Sequence, residues 1–213
     1  MDHLQGRWTF QRWRWNLGLV VTVYMNPLIT YLRKHIPDID PDVLNNISSI
    51  ITKESVSKGD FLLKQGDTCK HLYFNESGII RCFSLRDGID ITTWFSFKNE
   101  FITSFTSFFP KVPSYENMEL LTDATLLKIS FSDFDTLRRQ SIEFERVINH
   151  FITLYTIQIE KRLFQIQTQS AIEKYQTMLR SEPHLIQKIP SKHLASYLGV
   201  TRETLSRIRS SIN

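Results

Sequence analysis

The stretch Ile189-Pro-Ser-Lys-His-Leu-Ala-Ser-Tyr-Leu-Gly-Val-Thr-Arg-Glu-Thr-Leu-Ser-Arg-Ile208 reads as two short helices joined by a tight turn. Pro190 suits a first helical turn, where its missing N–H leaves nothing unpaired. Leu194 and Leu198 repeat at helical spacing, and Ala195 lets a second helix approach closely. Gly199 stops the helix because it can adopt the left-handed conformation. Thr201 is the expected N-cap of the next helix. There Thr201, Leu205, Ile208 and Ile212 are spaced to face inward, and Arg202, Glu203, Ser206, Arg207 and Ser210 to face outward. Arginine can bond guanine in a bidentate fashion and glutamate can accept from cytosine, so this face suits the DNA major groove. The competing reading is an ordinary surface hairpin with a solvated charged face.

Charge supports the first reading. The 213 residues carry a formal net charge of +4. Residues 170–213 hold seven basic groups (Lys174, Arg180, Lys188, Lys192, Arg202, Arg207, Arg209) against three glutamates (Glu173, Glu182, Glu203). The preceding 169 residues balance at 19 basic and 19 acidic groups. The excess therefore lies around the two-helix motif, as phosphate binding requires. Hydrophobic residues at 41% and only seven glycines and seven prolines indicate a folded chain without long flexible linkers. Cys69 and Cys82 form no CxxC pair, so reduced thiols in a cytoplasmic protein are expected.

Residues 1–24 differ from the rest: Arg7, Arg12 and Arg14 interleave with Trp8, Phe10, Trp13 and Trp15. The apolar run that follows is too short to span a bilayer and has no small-residue cleavage site. We expect an atypical extension ahead of a natural start at Met25; an aromatic-basic membrane-surface anchor is the alternative. No membrane partner is expected for the remainder.

Residues 26–54 carry helical spacing in Leu28, Ile29, Leu32 and Ile36, interrupted by Pro37 and resumed after Asp40-Pro41. From Ser55 to Phe131 the period changes. Gly59, Gly66, Gly78 and Gly88 punctuate β-prone runs at 61–64, 71–75, 79–85, 89–97, 118–121 and 126–131, indicating an antiparallel roll. A long helical stripe follows: Phe144, Ile148, Ile152, Tyr155, Ile159, Leu163 and Ile166 step by three or four. A parallel pair from two chains would bury it, as in a coiled coil; a core helix within one subunit is the alternative.

In this order the chain resembles the bacterial Crp/Fnr transcription regulators. The resemblance is carried by Val200-Thr-Arg-Glu-Thr-Leu-Ser-Arg-Ile208, by the turns Lys58-Gly-Asp and Gln65-Gly-Asp, and by Ser77-Gly-Ile-Ile-Arg81, and it covers residues 26–213. It implies an α+β fold: an antiparallel, cyclic nucleotide-binding-like β-roll sensor (25–133), a long dimerisation helix (134–169) and a helix-turn-helix domain (170–213). By the same resemblance Arg202, Glu203 and Arg207 contact base edges and Thr201 and Thr204 hold phosphates; Lys192 is a further phosphate contact. Phe144, Ile148, Ile152, Tyr155, Ile159 and Leu163 form the dimer interface. The implied partners are double-stranded DNA and a second copy, with RNA polymerase and a small-molecule effector as further candidates.

The cyclic-AMP binders of that family carry Gly-Glu for the ribose and Arg-Ser/Thr for the phosphate. Here Thr103-Ser104 and Ser114-Tyr115 stand instead, and only Lys111 is near. A buried phosphate needs cationic or amide partners, so cyclic AMP is not expected to bind. Phe95, Phe97, Phe101, Phe105, Phe108 and Phe109 either fill a core or line an apolar cavity. Iron–sulfur ligation lacks its cysteines, and His35, His71 and His150 are isolated, so no cofactor or metal is expected. No nucleophile elbow, P-loop or metal-spaced motif suggests an enzyme. A non-DNA-binding sensory or adaptor protein on the same scaffold is the main alternative.

Overall fold

The computed structural model describes residues 26–212; the expected extension over residues 1–24 lies outside them. Helix α1 (Pro27–His35) starts where the Asn26 side chain accepts from the Leu28 N–H at 3.0 Å, with Pro27 in the first turn. Helix α2 (Pro41–Ile50) repeats the device, Asp40 accepting from Asp42 at 2.7 Å. Both bury their leucine–isoleucine faces against the β-roll.

The roll is two four-stranded antiparallel sheets. One has the order β1 (Thr52–Val56), β8 (Ala124–Ser130), β3 (His71–Ser77), β6 (Glu100–Ile102). The other runs β2 (Phe61–Leu63), β7 (Asn117–Leu120), β4 (Ile80–Arg86), β5 (Ile89–Ser96). Six strands fall where the glycine-punctuated runs place them; β1 and β6 were not expected from the sequence. Between β3 and β4, Gly78 sits at φ +111°, and a Cβ there would come within 2.6 Å of the Ala124 Cβ. A short helix α3 (Phe105–Phe108) lies between β6 and β7.

The helical run expected from residue 134 is two helices, α4 (Phe131–Gln140) and α5 (Ile142–Thr168). Ser141 takes an extended conformation, and its hydroxyl accepts from the Phe144 N–H at 3.1 Å, capping a new helix. A capping box of Ser170 and Glu173 opens α6 (Ala171–Ser181), and a single turn α7 (Pro183–Ile186) follows.

Two apolar cores form. The first joins α1, α2, both sheets, α4 and the start of α5. The second gathers Tyr175, Ile186, Ile189, Leu194, Ala195, Leu198, Leu205 and Ile208 from the C-terminal segment around Ile79, Phe95 and Leu121 of the roll. The C-terminal unit is thus packed on the roll rather than held apart from it.

Candidate nucleic-acid interface

The C-terminal motif forms as two helices, α8 (Ser191–Leu198) and α9 (Arg202–Ile212). Gly199 closes α8 in the left-handed region at φ +75°, ψ +34°, and the Val200 N–H returns to the Ala195 carbonyl at 3.0 Å. This left-handed residue turns the chain and sets the approach of α9. Leu205 and Ile208 are buried against Leu194, Ala195 and Leu198. Arg209 reaches back to the Ser191 hydroxyl at 2.9 Å and ties the two helices together.

Thr201 differs from its expected inward position. It is exposed, and its hydroxyl accepts from the Thr204 N–H at 3.2 Å as the N-cap of α9. A cap residue has non-helical dihedrals, so it leaves the helical face it would otherwise continue.

Arg202, Glu203, Ser206, Arg207 and Ser210 are all exposed on the far side of α9. The Glu203 carboxyl is held below its ordinary range by its own backbone N–H and the Thr201 hydroxyl, with Arg202 and Arg207 adding to the effect. The face therefore presents an ionised carboxylate between two guanidiniums. Thr204 is half-buried, and Lys192 is exposed in the first turn of α8.

The expected dimer stripe divides. Phe144 is 2% exposed and belongs to its own subunit's core, so it is corrected from an interface residue to a core residue. The helix starts anew after Ser141, and its first turns, with Phe144 and Val147, lie in that core. Ile148 packs on the same core. Tyr155 stacks flat on Phe105, centroids 4.0 Å apart. Ile152, Ile159 and Leu163 are exposed, the last by 53%. Phe164, at 61% exposed, and Ile166 join them on the outer half of α5; Phe164 lies off the expected stripe.

The stretch 103–116 holds no free cation. Lys111 lies over the Phe131 ring at 4.0 Å, while the Ser104 hydroxyl donates to the Glu116 carboxylate at 2.6 Å. Burial raises the Glu116 pKa. A carboxylate therefore stands in the stretch where a phosphate would need a positive group. Cys69 and Cys82 are free and buried, and burial lifts the Cys82 thiol well above its ordinary value. Among the described residues, no three His, Cys, Asp or Glu side chains gather as a metal site, and no helix is long and apolar enough to cross a membrane.

A polar cluster that sequence reasoning missed lies beneath α8. Arg81 on β4, 2% exposed, bonds Asp90 at 2.6 and 3.1 Å, Glu119 at 2.9 and 3.2 Å and the Thr92 hydroxyl at 3.2 Å. Ser196 of α8 accepts from the Thr92 N–H at 2.9 Å and donates to the Asp90 carbonyl at 3.0 Å. It satisfies the free edge of β5 as a neighbouring strand would. Arg162 of α5 donates to the Tyr197 carbonyl at 2.8 Å, its guanidinium 3.7 Å above the Tyr197 ring.

Residues 53–141 match the cyclic nucleotide-binding domain family. No curated protein sequence matches the chain. Among solved structures, FixK2 from Bradyrhizobium japonicum superposes with a TM-score of 0.66 at 17% identity, covering 76% of this chain and 84% of that one. The c-di-GMP responsive global regulator CLP of Xanthomonas campestris gives 0.64 at 16% identity, over 81% and 91%. A Eubacterium rectale chain classed as a transcriptional regulator of the Crp/Fnr family gives 0.65 at 20% identity, over 82% and 84%. The chain therefore has the cyclic nucleotide-binding fold, followed by helices arranged as in these three structures.

Proposed function

We propose that the chain is a sequence-specific DNA-binding transcription regulator of the Crp/Fnr type, acting in the cytoplasm as a homodimer, with a sensor domain that does not bind cyclic AMP. The observation that carries this is the exposed Arg202–Glu203–Arg207 face on a capped helix whose approach is set by Gly199. In a major groove Arg202 and Arg207 would read guanine edges and Glu203 a cytosine amino group. Thr201, Thr204 and Lys192 would hold the phosphates that set the register. Ile152, Ile159 and Leu163 of α5 are the apolar surface that a second copy would cover, presenting two α9 helices to half-sites about 34 Å apart. RNA polymerase is a further partner of such a regulator. The Glu116 carboxylate within the 103–116 stretch argues against cyclic AMP.

Genome-wide binding by the tagged protein, with Arg202→Ala beside it, tests the reading. The wild type is expected to select paired half-sites and Arg202→Ala to lose them; identical site sets would refute base readout by α9. Lys192→Ala is expected to weaken binding to all sequences alike and reduce the salt slope by about 1. Calorimetric binding of micromolar cyclic AMP would overturn the sensor assignment.

A further inference from the structure

The C-terminal unit sits on the roll through one face of α8. His193, Ser196 and Tyr197 stand at i, i+3 and i+4 and so share that face. Ser196 closes the edge of β5 through the Thr92 N–H and the Asp90 carbonyl. The Tyr197 ring lies 5.1 Å from that of Phe95 on β5. His193, one turn earlier, stands beside the Arg81 cluster. Its charged neighbours across the contact are Arg81 on β4, Asp90 on β5 and Glu119 on β7, with Lys192 next to it on α8. Arg209 of α9 reaches the same helix but is bonded to Ser191.

The His193 Nδ1 is buried and has no hydrogen-bond partner among the described residues. A neutral imidazole with its proton on Nε2 leaves only a lone pair there. The imidazolium carries an N–H on both ring nitrogens, so protonation buries a donor without an acceptor and sets a second cation beside Arg81. Asp90 and Glu119 offset this only in part, because both are already bonded to Arg81 at 2.6–3.2 Å. Burial lowers the His193 pKa from its ordinary value. Arg81 adds to the effect, Asp90 and Glu119 oppose it, and Lys192 adds to it again.

We propose that His193 is a proton-operated latch: while its ring is neutral α8 stays seated on β5, and protonation releases the C-terminal unit from the roll. In the released form the ring returns to water and to its ordinary value of 6.5. Above that pH the contribution of the seated, neutral ring is fully present. As pH falls below it the released form takes up the proton first, and seating weakens until the seated ring titrates as well. Glu100, near Tyr197 and Glu182, titrates at the same junction in the opposite sense. The latch is therefore read as a difference between wild type and a variant of His193. Its consequence for the position of α9 rests on the DNA-binding reading; the latch itself does not.

Amide hydrogen exchange on the full chain at about pH 7.5 and about pH 5, expressed as protection over the intrinsic rate at each pH, tests the latch. The reporter is the Thr92 amide, which donates to Ser196. Ser196→Ala should expose it at both pH values; a Thr92 amide still protected in that variant would show that α8 does not cover β5, and the proposal would fall. His193→Gln cannot take up the proton. The ratio of Thr92 protection in wild type to that in His193→Gln is expected to drop by up to about tenfold for each pH unit below the ordinary 6.5. The same ratio for Leu127, inside β8, should stay constant. An unchanged Thr92 ratio, or a Leu127 ratio that falls in step with it, would overturn the proposal. If the glutamine variant melts early, the His193 ring signals of the wild type, followed by NMR, decide: a titration midpoint at or above 6.5 overturns the latch. A working latch in a chain that selects no DNA sites would instead refute the proposed function alone.

Discussion

Glu100, at the start of β6, allows a quantitative test of how the roll and the C-terminal unit share one interior. Burial raises its pKa from the ordinary 4.5 to about 7; the Phe97 N–H, 2.9 Å away, works against the shift and Glu182 adds to it. In the unfolded chain the carboxyl returns to its ordinary value. Between about pH 4.5 and 7 the folded state therefore holds a proton that the unfolded state has released, so stability falls as pH rises through that window. The loss is complete above about pH 7. At about 1.4 kcal/mol per pH unit, the rise from 4.5 to about 7 corresponds to about 3.5 kcal/mol. Glu100→Gln keeps the size and the acceptor for Phe97 but cannot ionise. It should be more stable than wild type by up to about 3.5 kcal/mol at pH 8 and nearly equal to it at pH 4.5. Urea unfolding of both proteins at the two pH values measures the difference, and the shared pH dependence of every other group cancels. A stability difference that is the same at pH 4.5 and pH 8 would show that Glu100 is not held protonated by burial.

Three further outcomes are expected. Arg81→Ala leaves Asp90 and Glu119 facing each other without their shared cation and should cost about 3–5 kcal/mol in urea unfolding, the usual result of breaking a buried pair. Gly78→Ala should destabilise by more than about 1 kcal/mol, because it meets Ala124 and needs a positive φ; Gly88→Ala, with open space around it, should cost less in the same melts. Ile159→Lys with Leu163→Lys should lower the sedimentation mass toward that of one chain without lowering the melting temperature of the roll, whereas Phe144→Lys should unfold it.

The legible parts of the fold were those with local causes. Asp40 acts through one side-chain hydrogen bond and Gly199 through its left-handed backbone, so their effect is visible in a few consecutive residues. The outward set on α9 followed from helical period alone. Two strands escaped notice because their burial patterns lack a run of alternating apolar residues. β1, Thr-Lys-Glu-Ser-Val, is a largely exposed strand paired only with β8, and β6 has three residues paired with β3. Their strand character comes from long-range hydrogen bonding.

By itself the sequence determined the type of most elements, the turn at Gly199, the polarity of α9 and the scarcity of cations in the stretch 103–116. Each of these depends on residues within a few positions of one another. Tertiary structure decided what the periodic stripe on α5 faces. Phe144, in the first turn of α5, lies in the core beside the roll while Leu163 stays outside, though both carry the same spacing signal. It also decided the Arg81 cluster and the docking of α8 on β5 through Ser196, which join residues up to 106 positions apart. It brought Arg162 beneath Tyr197. No local pattern encodes these meetings, because they arise only when the two cores close against each other.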